Sequence, residues 1–289
     1  MRRSTSKRKQ FKRLIPLVLL TVALGACSAT NTSSSSTSKT TTTKTSDYFT
    51  KRDQDASYDE SKATKISLSG SSAKTSGSGA EVSGSTVTIT KAGTYVLSGS
   101  SENVQIVVKV GNKDKVQLVL NGVTMTGTDA AIVVENADKT FITLAKGSKN
   151  TISDSANHKN TDYDAAIYSK DDLTFNGSGS LTVKGNYGNA IESNDDLRIT
   201  GGTYTIKGYK NALSANDAIN IKDATMNLTA TEDAIHADND EDTSLGNFYI
   251  QSGKITINAG DDGIHASNTA LIDGGTIKVE KSEEALEGK

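Results

Sequence analysis

The sequence predicts an all-β protein, a single-stranded parallel β-helix with coils of about 22 residues. Three observations lead to this fold class. Segments of 22 residues repeat in the second half of the chain, each copy has three short runs of alternating apolar and polar residues, and the only proline is Pro16. Alternation with period two is the pattern of strands, and repeated short units stack to bury one continuous core. The stretch after Pro16 contains no proline, so its backbone N–H groups are free for strand pairing.

Residues 1–26 have the pattern of a lipoprotein signal peptide. Seven basic residues precede the apolar run from Leu14 to Leu24, and the run closes on Leu24-Gly25-Ala26-Cys27. Eleven residues are too few for a stable membrane-spanning helix. The motif resembles the lipobox of bacterial lipoproteins, and Cys27 is the only cysteine. We therefore expect lipidation of Cys27 and a protein that is secreted and lipid-anchored to the outer face of the bacterial cell membrane. The alternative is an ordinary cleavable signal.

Residues 27–64 are rich in serine, threonine and lysine, and they predict a flexible linker because they have little apolar surface to bury. Loss of the seven basic residues of the signal changes the formal net charge from −2 to −9. Phosphate binding needs a basic surface, so this charge argues against a nucleic-acid partner. It favours a cation, or an anionic ligand bridged by a cation.

The repeated copies place apolar residues in regular columns. Residues 190–211, 212–233 and 263–284 each contain 22 residues, and residues 234–262 contain 29 because of a seven-residue insertion. The stretch from residue 82 to 165 has looser copies, with His158 in an inserted loop that we expect to be solvated. We assign residues 65–289 to one β-helix domain. The three predicted core columns are Ile167, Ile191, Leu213, Ile235, Ile264 and Leu286; Phe175, Ile199, Ile221, Ile250 and Ile272; and Val183, Ile206, Leu228, Ile257 and Val279.

Four motifs, in the order "ITKAGTYVLSG", "VQLVLNGVTMTG", "DAIHADND" and "DDGIHASN", resemble a known family. They are similar to the secreted bacterial carbohydrate-binding parallel β-helix proteins first recognised among cellulose-degrading clostridia. The resemblance covers residues 80–289. It implies a right-handed β-helix that binds calcium and plant-type polysaccharides, including polygalacturonate and cellulose, with the shape of a pectate lyase. It also leads us to expect further coils beyond Lys289.

Carboxylates recur at one corner of the predicted coils. The two residues before the first strand are acidic in three successive copies: Glu232, Asp233, Asp261, Asp262, Glu283 and Glu284. Like charges ~4.8 Å apart repel by about 3.5 kcal/mol at an effective dielectric of 20. Calcium prefers six to eight oxygen ligands, so the pattern predicts a Ca²⁺ site. The alternative is a solvated acidic turn that keeps the protein soluble.

A second corner follows the first strand and contains turn-forming Asn and Asp residues. Asp238, Asn239 and Asp240 open the seven-residue insertion there, and we predict them as additional metal ligands. Between the corners, His236 and His265 should be stacked neighbours. They could hydrogen-bond a sugar, ligate zinc or titrate in solvent, since imidazole is a poor calcium ligand.

The outward position of the third strand forms a hydroxyl-rich strip that includes Thr205 and Thr256. We take His236, His265, Thr205 and Thr256 as candidate polysaccharide contacts. The chain has no tryptophan, and Tyr204 falls on a further inward column with Met226, Ile255 and Ile277, so no stacking platform for crystalline cellulose is visible. An acidic sugar bridged through calcium fits the residues better.

Three function classes stay open. The first, which we favour, is a calcium-dependent polysaccharide-binding module, expected to be a monomer. The second is a calcium-dependent polysaccharide lyase of the pectate type, which needs a neutral basic side chain beside the metal. Lys210 and Lys281 are the candidates, but neighbouring carboxylates would keep such a lysine protonated. The third is a passive surface stalk or adhesin.

Overall fold

The computed structural model describes Leu19–Leu20 and residues 48–288. Within these residues the protein is all-β, without an α-helix, and no helix there is long and apolar enough to cross a membrane. The strands are β1 (Leu19–Leu20), β2 (Thr64–Gly70), β3 (Ser72–Ser76), β4 (Ala80–Ser83), β5 (Thr86–Ile89), β6 (Gly93–Glu102), β7 (Gln105–Lys109), β8 (Lys115–Thr126), β9 (Ile132–Asn136), β10 (Lys139–Leu144), β11 (Lys149–Ser153), β12 (Ala165–Ser169), β13 (Leu173–Gly177), β14 (Ser180–Gly185), β15 (Asn189–Ser193), β16 (Asp196–Thr200), β17 (Thr203–Gly208), β18 (Leu213–Ala215), β19 (Ala218–Lys222), β20 (Ala224–Thr229), β21 (Ile235–Ala237), β22 (Asn247–Ile250), β23 (Gly253–Asn258), β24 (Ile264–Ala266), β25 (Thr269–Ile272), β26 (Thr276–Lys281) and β27 (Glu287–Gly288).

From β12 onward, strands three apart in sequence pair in parallel. The first strand of each copy joins a 10-stranded sheet, here the short sheet, which runs from β27 through β24, β21, β18, β15 and β12. The second and third strands join a 17-stranded sheet, here the long sheet. Residues of the predicted columns lie directly opposite one another, as in the pairs Ile235↔Ile264, Ile221↔Ile250 and Leu228↔Ile257. The register confirms the columns read from the sequence, including the realignment across the seven-residue insertion.

The core consists of these columns. Ile191, Leu213 and Ile235 are completely buried, and so is Tyr204, whose ring meets Phe175 edge-on at 6.2 Å. The prediction that Tyr204 belongs to the core is therefore correct. Leu286 and Ile272, in the last copies, are exposed because no later strand covers them in the described part of the chain.

A tight turn joins the second and third strands of each copy. Gly177 and Gly201 occupy this turn in successive copies with φ of 98° and 93°. Asp223 takes the same place in the next copy with φ of 54°. Aspartate tolerates this left-handed backbone better than most residues, so the turn keeps its shape where glycine is replaced.

The structure differs from the sequence analysis at residues 48–63, which were assigned to the flexible linker. The first ten of them, here the N-terminal strap (residues 48–57), lie against the outer face of the long sheet. Phe49 is 5% exposed, and the ring of Tyr48 stacks on Tyr249 with centroids 3.7 Å apart. The Arg198 guanidinium donates to the carbonyl of Tyr48. A segment that is poor in apolar residues is thus held by aromatic stacking and polar contacts.

Candidate functional site

The acidic residues at the corner before the first strand are neighbours in space, as predicted. Backbone hydrogen bonds connect this corner from copy to copy. The N–H of Glu232 donates to Lys210 O, that of Asp261 to Glu232 O, and that of Glu283 to Asp261 O, at 3.2, 3.2 and 2.7 Å. We call the six side chains found there the acidic corner: Glu232, Asp233, Asp261, Asp262, Glu283 and Glu284.

One carboxylate of the acidic corner, that of Asp233, has a structural task that the sequence analysis missed. The side-chain oxygen Oδ1 of Asn189 accepts from the N–H of Asn211, Asn211 Oδ1 accepts from Asp233, and Asp233 Oδ1 accepts from Asp262. The last two distances are 2.9 and 2.8 Å. This ladder explains why Asp233 and Asp262 are only 8% and 6% exposed. The recurrence of Asn or Asp directly before each first strand was the signal for it.

The two histidines lie where the sequence analysis placed them, on the outward face of the short sheet. Their rings are stacked with centroids 5.0 Å apart. Each imidazole faces a carboxylate through Nδ1: His236 is 2.7 Å from Asp233 Oδ2, and His265 is 3.0 Å from Glu287 Oε2. Burial lowers the pKa of His236, but the hydrogen bond to Asp233 and the surrounding carboxylates outweigh it, so the pKa is raised. Each histidine is therefore paired with a carboxylate.

The two buried aspartates of the acidic corner, Asp233 and Asp262, have pKa values that are shifted in opposite directions. Burial, the contact with Glu287 and the charge of Asp233 raise the pKa of Asp262 to about 7. Burial also acts to raise the pKa of Asp233, yet the hydrogen bonds from His236 and from the Asp262 N–H lower it below the usual value. Near neutral pH the Asp262 carboxyl is thus held partly protonated, whereas the Asp233 carboxyl is ionised.

The structure brings three of the six predicted corner ligands together. Carboxylate oxygens of Asp233, Asp261 and Asp262 lie within 4.8 Å of one another, which is a ligand set of the hard oxygen type that calcium prefers. Asp262 also forms a second group of three potential metal ligands with His265 and Glu287. Glu232, Glu283 and Glu284 point outward at the same corner and belong to neither group.

The second predicted metal position is separate. Asp238, Asn239 and Asp240 follow β21, at the opposite end of that strand from Asp233. Asn239 Oδ1 accepts the N–H groups of Glu241 and Asp242 at 3.0 and 2.8 Å, so this oxygen shapes its own loop. Among the described residues, Asp238 and Asp240 join no group of three potential metal ligands within 4.8 Å.

The four candidate sugar contacts are divided between two faces. His236 and His265 lie on the short sheet, whereas Thr205 and Thr256 lie on β17 and β23 of the long sheet. Asn227 separates the two threonines in the ladder. One polysaccharide chain on one face cannot reach all four residues. The assignments therefore remain predictions for two alternative surfaces.

A charged group next to the acidic corner was not recognised from the sequence. Lys210 Nζ is 2.8 Å from Asp164 Oδ2, and Asn189 Nδ2 donates to Glu192 Oε2 at 2.7 Å. Burial and the charge of Asp164 raise the pKa of Glu192 to about 7. Glu192 lies in the same outward column as His236, with Ser214 between them, but Asp164 comes from the inserted loop before β12. No repeat spacing could have placed it there.

His158, expected to be solvated, is buried. Its Nε2 is 3.0 Å from Asp154 Oδ2, its Nδ1 is 3.1 Å from the carbonyl of Tyr163, and its ring stacks on Tyr187 at 4.3 Å. The prediction was wrong because the inserted loop folds back onto the next copy. Asn186 Nδ2 donates to the Asp154 carbonyl and fixes the fold-back.

Stacked parallel strands with an acidic, partly buried corner define the class of an all-β repeat protein with a surface suited to cations and polar ligands. Comparison with known proteins is more specific. The family model described as "Carbohydrate-binding domain-containing protein" matches residues 83–288, and the chain belongs to this family.

Two relatives support the assignment. A carbohydrate-binding domain-containing protein of Acetivibrio thermocellus is 46% identical over 199 residues, which cover 67% of this chain and 70% of the relative. The solved structure of a polysaccharide lyase-like protein from C. thermocellum, as a gadolinium derivative, is similar with a TM-score of 0.69 and 33% identity. That match covers 78% of this chain and 99% of the other.

Proposed function

We propose that this protein is a cell-surface lipoprotein whose right-handed parallel β-helix binds polysaccharide with the help of calcium. The observation that carries the proposal is the convergence of Asp233, Asp261 and Asp262, in a member of a carbohydrate-binding family. The three carboxylates lie beside the outward face of the short sheet. A cation there would be accessible to an anionic ligand.

Support for the β-helix comes from the pairing pattern. Strands three apart pair in parallel from β12 to β26, so each 22-residue copy returns to the same sheet at the next level. Parallel strands need a crossover connection, and nearly all such connections are right-handed. The similarity to a polysaccharide lyase-like structure is consistent with the shape.

Support for calcium comes from the donor chemistry and the charge. The described acidic corner supplies carboxylates in register, and residues 231–289 contain 13 acidic and 4 basic side chains. Uncompensated, such a ladder repels itself. Asp233, Asp261 and Asp262 would hold the ion, with Glu232 and Glu283 able to contribute from the neighbouring levels. The solved relative was studied as a gadolinium derivative, and Gd³⁺ is likewise a hard ion that prefers oxygen.

The favoured ligand is a polysaccharide that carries carboxylates, of the polygalacturonate type. A bound divalent ion can share its remaining positions with a uronate carboxylate. Among the described residues, Tyr209 is the one exposed aromatic side chain, at 61% exposure. These residues therefore form no flat aromatic platform for crystalline cellulose. Cellulosic chains remain the second candidate ligand.

The lyase alternative requires an unprotonated base near the metal. Lys210 hydrogen-bonds to Asp164, and this contact raises the lysine pKa despite partial burial. The ammonium form cannot remove the proton α to a uronate carboxylate. This favours a binding module, although the relative's description as polysaccharide lyase-like keeps the alternative testable. An assay for unsaturated uronate products, with calcium present, decides it.

The membrane anchor rests on the sequence, since Cys27 lies outside the described residues. A diacylated amino-terminal cysteine would hold the domain at the outer face of the membrane through residues 28–47. The domain would then present glycan to the cell without a further partner.

Retention on a polygalacturonate gel tests the function. The wild-type protein should be retained in calcium and released by a chelator that removes calcium. Asp261→Asn should weaken retention, whereas Asp114→Asn, in an exposed turn remote from the corner in sequence, should not. Retention that ignores both chelator and Asp261→Asn would move the binding surface elsewhere, with the Thr205 and Thr256 strip as the first candidate.

A further inference from the structure

Asp262, His265 and Glu287 form a ligand set of nitrogen and oxygen donors. Only Asp262 of this set belongs to the proposed calcium site. His265 Nδ1 is 3.0 Å from Glu287 Oε2 and 3.7 Å from Asp262 Oδ2. All three ligand atoms lie within 4.8 Å of one another. The donors come from two successive levels of the short sheet, since His265 pairs with Glu287 in register.

These separations match those of a tetrahedral transition-metal site. Zinc binds imidazole nitrogen and carboxylate oxygen at about 2.0–2.2 Å, so neighbouring ligand atoms of a tetrahedron lie about 3.3–3.5 Å apart. The observed 3.0 and 3.7 Å lie on either side of this range. Side-chain movements of a few tenths of an ångström would bring these two pairs to tetrahedral separations, and the third pair, Asp262 and Glu287, lies within 4.8 Å.

The local structure holds the donors in place. Asp262 is 6% exposed and its backbone N–H is held by Asp233 Oδ1 at 2.8 Å. The His265 ring is supported on one face by the ring of His236. Its side chain is 23% exposed and that of Glu287 is 53% exposed, so an ion can enter from solvent.

We propose that Asp262, His265 and Glu287 form a site for a first-row transition ion of the Zn²⁺ class, with a fourth position open to water or ligand. Imidazole selects such ions over calcium, which prefers oxygen donors only. The proposal goes beyond calcium-dependent glycan binding and does not depend on it. The two ligand sets share only Asp262. This face of the protein would therefore bind calcium at one set and a transition ion at the other.

The test uses the full chain, without a histidine tag, and the metals alone. Zn²⁺ is titrated by calorimetry, and Co²⁺ by visible absorption, because cobalt reports its own coordination geometry. His265→Gln and Glu287→Gln remove one ligand each. Glu280→Gln is the control, because it removes an exposed carboxylate from the preceding strand, where Lys278 already pairs with it.

We expect one Zn²⁺ per chain and cobalt bands of four- or five-coordinate geometry in the wild type and in Glu280→Gln. His265→Gln should weaken Zn²⁺ binding at least about 100-fold, because loss of an outer-shell partner alone already costs up to that much. The calcium-dependent rise of the melting temperature should persist in His265→Gln. Absent binding in the wild type, or equal binding in His265→Gln, overturns the proposal. Loss of both metal responses in His265→Gln also overturns it, since it would indicate one shared site.

Discussion

Asp53 of the N-terminal strap is buried against Lys139 of β10, with Oδ1 3.1 Å from Nζ. The aspartate is 0% exposed and the lysine 7% exposed. Thr174 of β13 donates to the same Oδ1 at 2.9 Å. The strap thus supplies one of two counter-charges for Lys139; the other is Asp172, whose Oδ2 lies 3.0 Å from Nζ.

Asp53→Ala should destabilise the protein by roughly 1–3 kcal/mol, because Lys139 keeps Asp172 but the buried Lys139 ammonium and Thr174 hydroxyl each lose a hydrogen-bond acceptor. Chemical denaturation measures the loss of unfolding free energy. Asp55→Ala is the matched control, since Asp55 is exposed in the same strap. Equal effects of the two substitutions would mean that the strap contributes nothing specific to stability.

The register of the core gives a second prediction. Ile235 is completely buried, whereas Thr256 faces outward at a half-buried position of β23. Ile235→Asp places an unpaired charge among core side chains and should cost more than about 4 kcal/mol, enough to prevent folding. Thr256→Asp should leave a cooperative thermal transition. Tolerance of both changes would contradict the assigned register.

The half-buried pair of Glu192 and Asp164 predicts a pH dependence. The folded-state pKa of Glu192 is raised to about 7 from its usual 4.5 by burial and then by Asp164. The folded protein therefore holds this proton more tightly than the unfolded chain. Its contribution to stability is complete below pH 4.5 and is lost as the pH rises through 7.

Thermal melts of metal-free protein between pH 4.5 and 8 test this dependence. Glu192→Gln should flatten the decline in melting temperature, because the neutral amide has no proton to lose. Glu102→Gln, an exposed site, should keep the wild-type slope. An unchanged slope in Glu192→Gln would remove this pair as a source of the pH effect.

The sequence predicted the repeat, the columns and the corner because one physical rule governs them. Stacked copies of similar length must place equivalent residues in contact, so Ile235, Ile264 and the carboxylates beside them follow from spacing alone. The buried Tyr204 followed from its own inward column, which continues through Met226 and Ile255.

Contacts outside the repeat could not be predicted in this way. Asp53 and Lys139 are 86 residues apart, and nothing periodic connects them. Asp164 and His158 come from an inserted loop whose path depends on tertiary packing. Asp233 takes part both in the hydrogen-bond ladder and in the candidate metal site. This double role depends on where its side-chain oxygens point, which repeat spacing does not give.

The proposed anchor is tested independently of the fold. Cys27→Ser removes the lipidated thiol and should shift the protein from the membrane fraction to the medium, or leave its signal uncleaved. The melting temperature of the domain should not change. Unaltered retention in the membrane fraction would show that another element holds the protein there.

Calcium binding at the acidic corner can be tested by neutralising its two buried carboxylates. Asp233→Asn with Asp262→Asn is the informative variant, because an amide Oδ1 can still accept the ladder hydrogen bond that Asp233 provides. The double variant relieves the repulsion between the two carboxylates but loses the ion pair of Asp233 with His236, so the melting temperature of the metal-free protein should change little. It also removes two ligands, so the response to calcium should disappear.

The most direct measurement is the melting temperature of wild type and double variant over a calcium titration. Ligand binding to the folded state alone raises stability by about 2.7 kcal/mol at a hundredfold excess over Kd. We predict a rise with calcium in the wild type, its reversal by chelator, and a flat response in the double variant. A wild-type melting temperature that does not change with calcium, or an equal rise in the double variant, would contradict the account.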